Sequence, residues 1–132
     1  MPTVNCGRGS SAALLKQGAT IEIIVRSPMY GQEIKLEALI DTGSQLTIVE
    51  SQFVQGWTLP IAGPGQFAGS SGRYSSDILM AEIEIPALNL RELTSITLRD
   101  DLGGRQAILG RTQLRECVLV YDGPQGTVQL RR

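Results

Sequence analysis

Ala38-Leu39-Ile40-Asp41-Thr42-Gly43-Ser44-Gln45-Leu46-Thr47-Ile48-Val49 is the stretch that decides the fold. An apolar run delivers Asp41, the chain turns through Thr42-Gly43-Ser44, and a second apolar run leaves through Leu46, Ile48 and Val49. Most Asp-x-Gly triplets are solvent-facing turns in which the Asp caps its own backbone. Here both flanks are apolar, so the acid stands where a buried strand ends. A carboxylate in such a place is costly unless hydrogen-bonded or paired, and that cost points to a use. Gly43 lets backbone or a small molecule come close to the acid, and Thr42 and Ser44 offer short hydroxyls that can orient it.

Working outward, Glu33 to Ile40 alternates, with Ile34, Leu36, Ala38 and Ile40 on one face and Glu33, Lys35 and Glu37 on the other. Thr20 to Val25 shows the same period of two, and Ser27-Pro28-Met29-Tyr30-Gly31 predicts the turn between these strands. After the central stretch, Glu50 to Gln55 predicts one short helical turn. Gly63 to Ser76 carries Gly63, Gly65, Gly69 and Gly72 with little apolar bulk, which predicts an exposed, mobile segment. Its glycines do not match dinucleotide-binding spacing, and no Gly-Lys-Ser/Thr follows, so a phosphate loop is rejected. Ile78 to Ile85 and Leu93 to Leu98 read as strands. Asp100 and Asp101 are neighbours on a turn without a buried flank, and they read as solvated rather than as metal ligands or a catalytic pair. Val118 to Asp122 and Thr127 to Leu130, joined by Gly123-Pro124-Gln125-Gly126, predict a hairpin. The class is all-β.

The chain has 132 residues, which suits one domain with its own core. Its 12 basic and 13 acidic residues nearly cancel, leaving no electrostatic footprint for nucleic acid or an anionic membrane. Histidine is absent, which removes Ser-His-Asp and Cys-His schemes and the usual zinc sites. No metal or other cofactor is expected. Cys6 and Cys117 read as reduced thiols, Cys117 in the core and Cys6 in a mobile end, with a Cys6–Cys117 bridge left open for an oxidising compartment. Residues 1–18 read as a flexible N-terminal arm and 19–132 as the folded domain. The chain has no apolar run of membrane-spanning length and no secretion-signal pattern, which favours a cytoplasmic location.

The run Ala38 to Ser44 resembles the active-site motif of aspartic proteases, and a single copy in a short chain is similar to the retropepsin branch. A second marker of that family, two hydrophobic residues followed by Gly, is matched late in the chain by Ile108-Leu109-Gly110-Arg111. The likeness runs from about Thr20 to Leu130. It implies a closed β fold with a short helix over Thr112 to Glu116 and a glycine-rich flap hairpin covering bound peptide. The flap tip falls at Ala68, Gly69, Ser70, Ser71 and Gly72, and Tyr74 is placed to approach Trp57, as a flap tyrosine does in pepsin-like relatives.

For activity, the resemblance implies an aspartic endopeptidase with Asp41 catalytic, Thr42 buttressing paired loops, Gly43 leaving room beside the water and Ser44 bonding the outer carboxylate oxygen. The reaction needs a carboxylate to take a proton from water and a carboxylic acid to polarise the peptide carbonyl. One Asp-Thr-Gly supplies one acid, so the arithmetic demands a homodimer with Asp41 of each subunit on a two-fold axis. An extended polypeptide would lie between flap and dyad with its side chains in apolar subsites. The terminal segments help to join subunits in this family, and here the C-terminal hairpin is the candidate. One departure stands out: many viral members carry an acid four residues after the catalytic Asp, paired with the Arg of the second motif, and this chain has Gln45. Arg111 then needs another partner, a carbonyl or Glu116. The alternative reading is a non-catalytic interaction or dimerisation module of the same fold.

Overall fold

The period-two pattern around Asp41 is realised in the computed structural model, which describes residues 2–69 and 72–132. Along the chain come β1 (Thr3–Asn5), α1 (Ser11–Gln17), β2 (Thr20–Arg26), β3 (Glu33–Ile40) and β4 (Thr47–Glu50). They are followed by β5 (Ile61–Gly69), β6 (Gly72–Ile85), β7 (Leu90–Arg99), β8 (Ala107–Leu109), α2 (Arg111–Leu114), β9 (Val118–Asp122) and β10 (Thr127–Arg131). Single 3-10 turns occupy Ser51–Val54 and Pro86–Leu88. The fold is all-β, and α2 is the short C-terminal helix expected after the second motif.

One sheet runs β2-β3-β8-β4-β7-β6-β5, and an extra pairing of β2 with β6 closes its first six strands into a barrel. The closure comes from the length of β6. Its second half, Glu82 to Glu84, pairs with Arg26 to Ile24 on one side and with Leu93 to Arg91 on the other. Its first half pairs with β5 as a two-stranded arm. Arg26 reinforces the closure, bonding Glu33 at 2.9 Å, Glu84 at 2.7 Å and Glu82 at 3.3 Å across three strands.

Alternation puts one row of each barrel strand inside. Ile23 and Val25 of β2, Leu36 and Ala38 of β3, Val49 of β4, Ile83 and Ile85 of β6, Ile96 of β7 and Leu109 of β8 are all fully or almost fully buried. Removing these apolar surfaces from water is the main source of stability, at roughly 1.5–3 kcal/mol for each fully buried large aliphatic side chain.

A second sheet, ordered β1-β10-β9, joins the two ends of the chain. The Gly- and Ser-rich composition of residues 1–18 predicts a flexible arm, but from Pro2 onward this segment is built into the fold. Thr3 to Asn5 pair with Arg131 to Gln129. Ser10 caps α1 by accepting from the Ala13 N–H at 3.2 Å, Leu14 is buried, and Gly18 closes the helix on the Leu14 carbonyl at 2.9 Å. Cys6 also lies in the core rather than in a mobile end. Both cysteines are free thiols, and Cys117 is half-buried. Composition misleads here because Gly7 and Gly126 provide close packing. A Cβ on Gly7 would stand 2.3 Å from the Gly126 carbonyl oxygen, and one on Gly126 would stand 2.2 Å from the Ser10 carbonyl carbon.

Candidate active site

Asp41 follows β3 directly, and three separate segments hold it there. β8 lies between β3 and β4, parallel to β3 with Leu109 opposite Ile40, and antiparallel to β4 with Ile108 opposite Ile48. The Asp41 N–H donates to the Leu109 carbonyl at 3.0 Å, and the Ile40 N–H donates to the Ala19 carbonyl at 2.9 Å. The two sequence motifs therefore interlock, with the second threaded through the space between the strands of the first.

Within the turn, the Asp41 carboxylate accepts the Gly43 N–H at 2.8 Å, and the Ser44 N–H reaches the Asp41 carbonyl at 3.2 Å. Asp41 is half-buried, whereas Thr42 and Gly43 are exposed. The expectation that Ser44 bonds the carboxylate does not hold: its hydroxyl donates to the Leu46 carbonyl at 2.7 Å and so tightens the turn. Arg111 finds a carbonyl, not Glu116. Its guanidinium donates to the Thr42 carbonyl at 2.7 Å, and its N–H donates to the Ser44 carbonyl at 2.8 Å. The first turn of α2 thus clamps the Asp41 turn from below.

Pattern reading missed the polar residues that set this clamp. Thr47 and Gln113 are fully buried. The Thr47 hydroxyl accepts the Gly110 N–H at 3.1 Å and donates to the Gln113 side-chain carbonyl. The Gln113 amide donates to Glu92 at 3.1 Å, and Glu92 pairs with Arg115 at 3.0 Å. A threonine in a strand and a glutamine in a short helix give no sequence signal of this kind, since both are common on surfaces.

Two hollows flank the turn. One, of about 220 Å³, lies towards β5 and is lined by Gly43, Ser44, Gln45, Leu46, Ile48, Gln66, Phe67, Thr97 and Arg111. Its wall mixes apolar side chains with polar ones and the Arg111 guanidinium. The other, of about 260 Å³, joins Ile40, Asp41 and Thr42 to Leu119, Tyr121 and Val128 of the terminal sheet.

The arm formed by β5 and β6 pairs from Ile61 with Leu79 to Gly69 with Gly72. Among solved structures, a retropepsin-like aspartic protease from Rickettsia conorii superposes with a TM-score of 0.59 at 12% identity, covering 97% of this chain and 89% of that one. The EIAV protease complexed with the inhibitor HBY-793 gives 0.56 at 17% identity over 74% and 85% of the two chains. The simian foamy virus protease gives 0.51 at 14% identity over 73% and 91%.

The fold is retropepsin-like.

No family model and no curated protein matches the sequence. In this retropepsin-like fold the β5–β6 arm stands in the place expected of the flap. Of the expected tip, Gly69 and Gly72 pair through their backbones, whereas Ser70 and Ser71 lie outside the described residues, as do the side chains of Ala68 and Tyr74 and hence the expected approach of Tyr74 to Trp57. Asp41, Thr42, Gly43 and Ser44 come together with Ile108, Leu109, Gly110 and Arg111. No described helix is long and apolar enough to cross a membrane.

Proposed function

We propose that this protein is an aspartic endopeptidase that works as a homodimer, with water held between the Asp41 carboxyls of two subunits. One acid, ionised, takes the proton of the attacking water. The other, protonated, donates to the oxygen of the scissile carbonyl. Two carboxyls close enough to share a proton do not ionise together easily, so one serves as base while the other serves as acid. The observation that carries this reading is the held position of Asp41: a half-buried carboxylate at the end of a barrel strand, oriented by Gly43 and beside a cleft towards the hairpin arm.

The terminal sheet suggests where the copies meet. β9 has no strand on its outer side among the described residues, yet it exposes Val118 (47%), Val120 (49%) and Tyr121 (61%). An edge strand with bare apolar side chains invites another chain. The hollow that links Leu119 and Tyr121 to Asp41 and Thr42 makes that edge continuous with the acid. A second copy paired along β9 is therefore the occupant that completes the dyad.

The test incubates wild-type and Asp41→Asn protein with a mixed peptide library at several pH values and identifies products by mass. Wild type should cut, with an acid-side optimum, and the variant should lose turnover while keeping its circular dichroism. Cleavage by both would point to another site or a contaminant. A dimer that binds peptides and cuts none would reduce the protein to an interaction module.

A further inference from the structure

The cleft between the Asp41 turn and the β5 arm has an uneven electrical character. Leu46 and Ile48 give it apolar surface, Gln45, Gln66 and Thr97 give neutral hydrogen-bonding groups, and Arg111 brings the single charge among its described lining residues. Arg111 makes no ion pair among the described residues. The contact found for it is with the neutral Thr42 carbonyl, and the side chain is exposed. A guanidinium carries five N–H donors in a planar fork suited to a carboxylate. Gln45 at the edge of the turn adds no negative charge that would neutralise it.

We propose that this cleft selects acidic side chains, so that a Glu or Asp of the bound polypeptide reaches Arg111 while Gln45 and Gln66 bond the polar atoms beside it. The inference rests on the peptidase reading for the identity of its ligand, an extended polypeptide. A half-enclosed cleft strengthens such a pair relative to open water. A glutamine in the same place keeps only the weaker neutral bonds, and a lysine is repelled. Glu should therefore be preferred to Gln by about tenfold, and to Lys by more. In a two-fold dimer the cleft occurs twice, so the preference should appear on both flanks of the cut bond.

Fluorescent extended peptides carrying Glu, Gln, Leu or Lys at each position in turn would be titrated against Asp41→Asn protein by anisotropy, and the same peptides digested by wild type. Arg111→Gln should abolish the preference for Glu, with sedimentation showing whether dimers persist. Gln66→Glu, on the exposed hairpin arm and outside the clamp, should cancel or reverse it, and it carries the test if Arg111→Gln does not fold. Raising ionic strength to about 0.5 M should shrink the discrimination, since only short-range attraction survives. Cleavage without preference for acidic peptides overturns the inference and leaves the peptidase intact. Preferential binding of Glu peptides with no cleavage by wild type upholds the cleft and overturns the peptidase. A preference unchanged in both variants, or loss of dimers in Arg111→Gln with discrimination retained, overturns the assignment to Arg111, and absence of any binding or cleavage overturns both readings.

Discussion

Gly43 and Gly110 each close a motif, but their surroundings impose different constraints. A Cβ at position 43 would meet the Asp41 carboxylate oxygen at 3.0 Å, whereas one at position 110 would run into the Leu46 carbonyl oxygen at 2.3 Å. The first obstacle is the end of a side chain, and the second is backbone at the entry to β4, which cannot yield cheaply. Gly110→Ala should therefore cost about 3 kcal/mol, read from the urea midpoint, even with Asp41 untouched. Cys6 gives a second handle. Burial pushes its thiol up from an ordinary 9.0 to about 11. Below that window both folded and unfolded chains hold the proton; within it only the unfolded chain releases it, so stability falls as pH rises from about 9 to about 11. The loss attributable to Cys6 should be about 2–3 kcal/mol. Unfolding curves of wild type and Cys6→Ala across that range should converge as pH rises, and parallel curves would remove the assignment.

Among elements, α2 is too short to be stable by itself, and its contacts explain why it forms. Nucleating a single helical turn is unfavourable without tertiary support. That support comes from Gln113, which joins Thr47 on β4 to Glu92 on β7, and from Arg111, which grips the carbonyls of the Asp41 turn. Gln113→Leu should strand the buried Thr47 hydroxyl and cost about 1–3 kcal/mol. A double-mutant cycle with Glu92→Gln should show coupling, because the two side chains are hydrogen-bonded. The β5–β6 arm is the opposite case. Its outer half, from Gln66 opposite Ser75 to Gly69 opposite Gly72, is paired strand to strand with no third strand among the described residues, so it should be the first element to exchange amide hydrogens.

For the whole molecule, the proposed dimer gives the terminal sheet a role beyond one chain. Val120→Lys would bring like charges together if two β9 edges pair across a two-fold axis, the same device that guards natural edge strands. Under the dimer proposal, sedimentation should show dimers of wild type and monomers of the variant at the same concentration, and any specific activity should fall steeply on dilution. A monomeric wild type that cleaves peptides at constant specific activity would exclude the shared dyad. The barrel should survive this substitution, since its closure by β2 and β6 does not involve β9.

Local pattern settled much of this protein. The alternation in Thr20 to Val25 and Glu33 to Ile40 gave strands within a residue of those observed, because period two admits only one arrangement with a buried face. The apolar flanks of Asp-Thr-Gly likewise placed Asp41 at a strand end. Tertiary structure alone decided that residues 3–5 join the last strand, that Ser44 turns to the Leu46 carbonyl, and that Thr47 and Gln113 meet in the interior. Each of these depends on segments far apart in the chain arriving at one place, and the partner of a hydroxyl or an amide is fixed by that arrival, whereas strand periodicity is written in neighbouring residues.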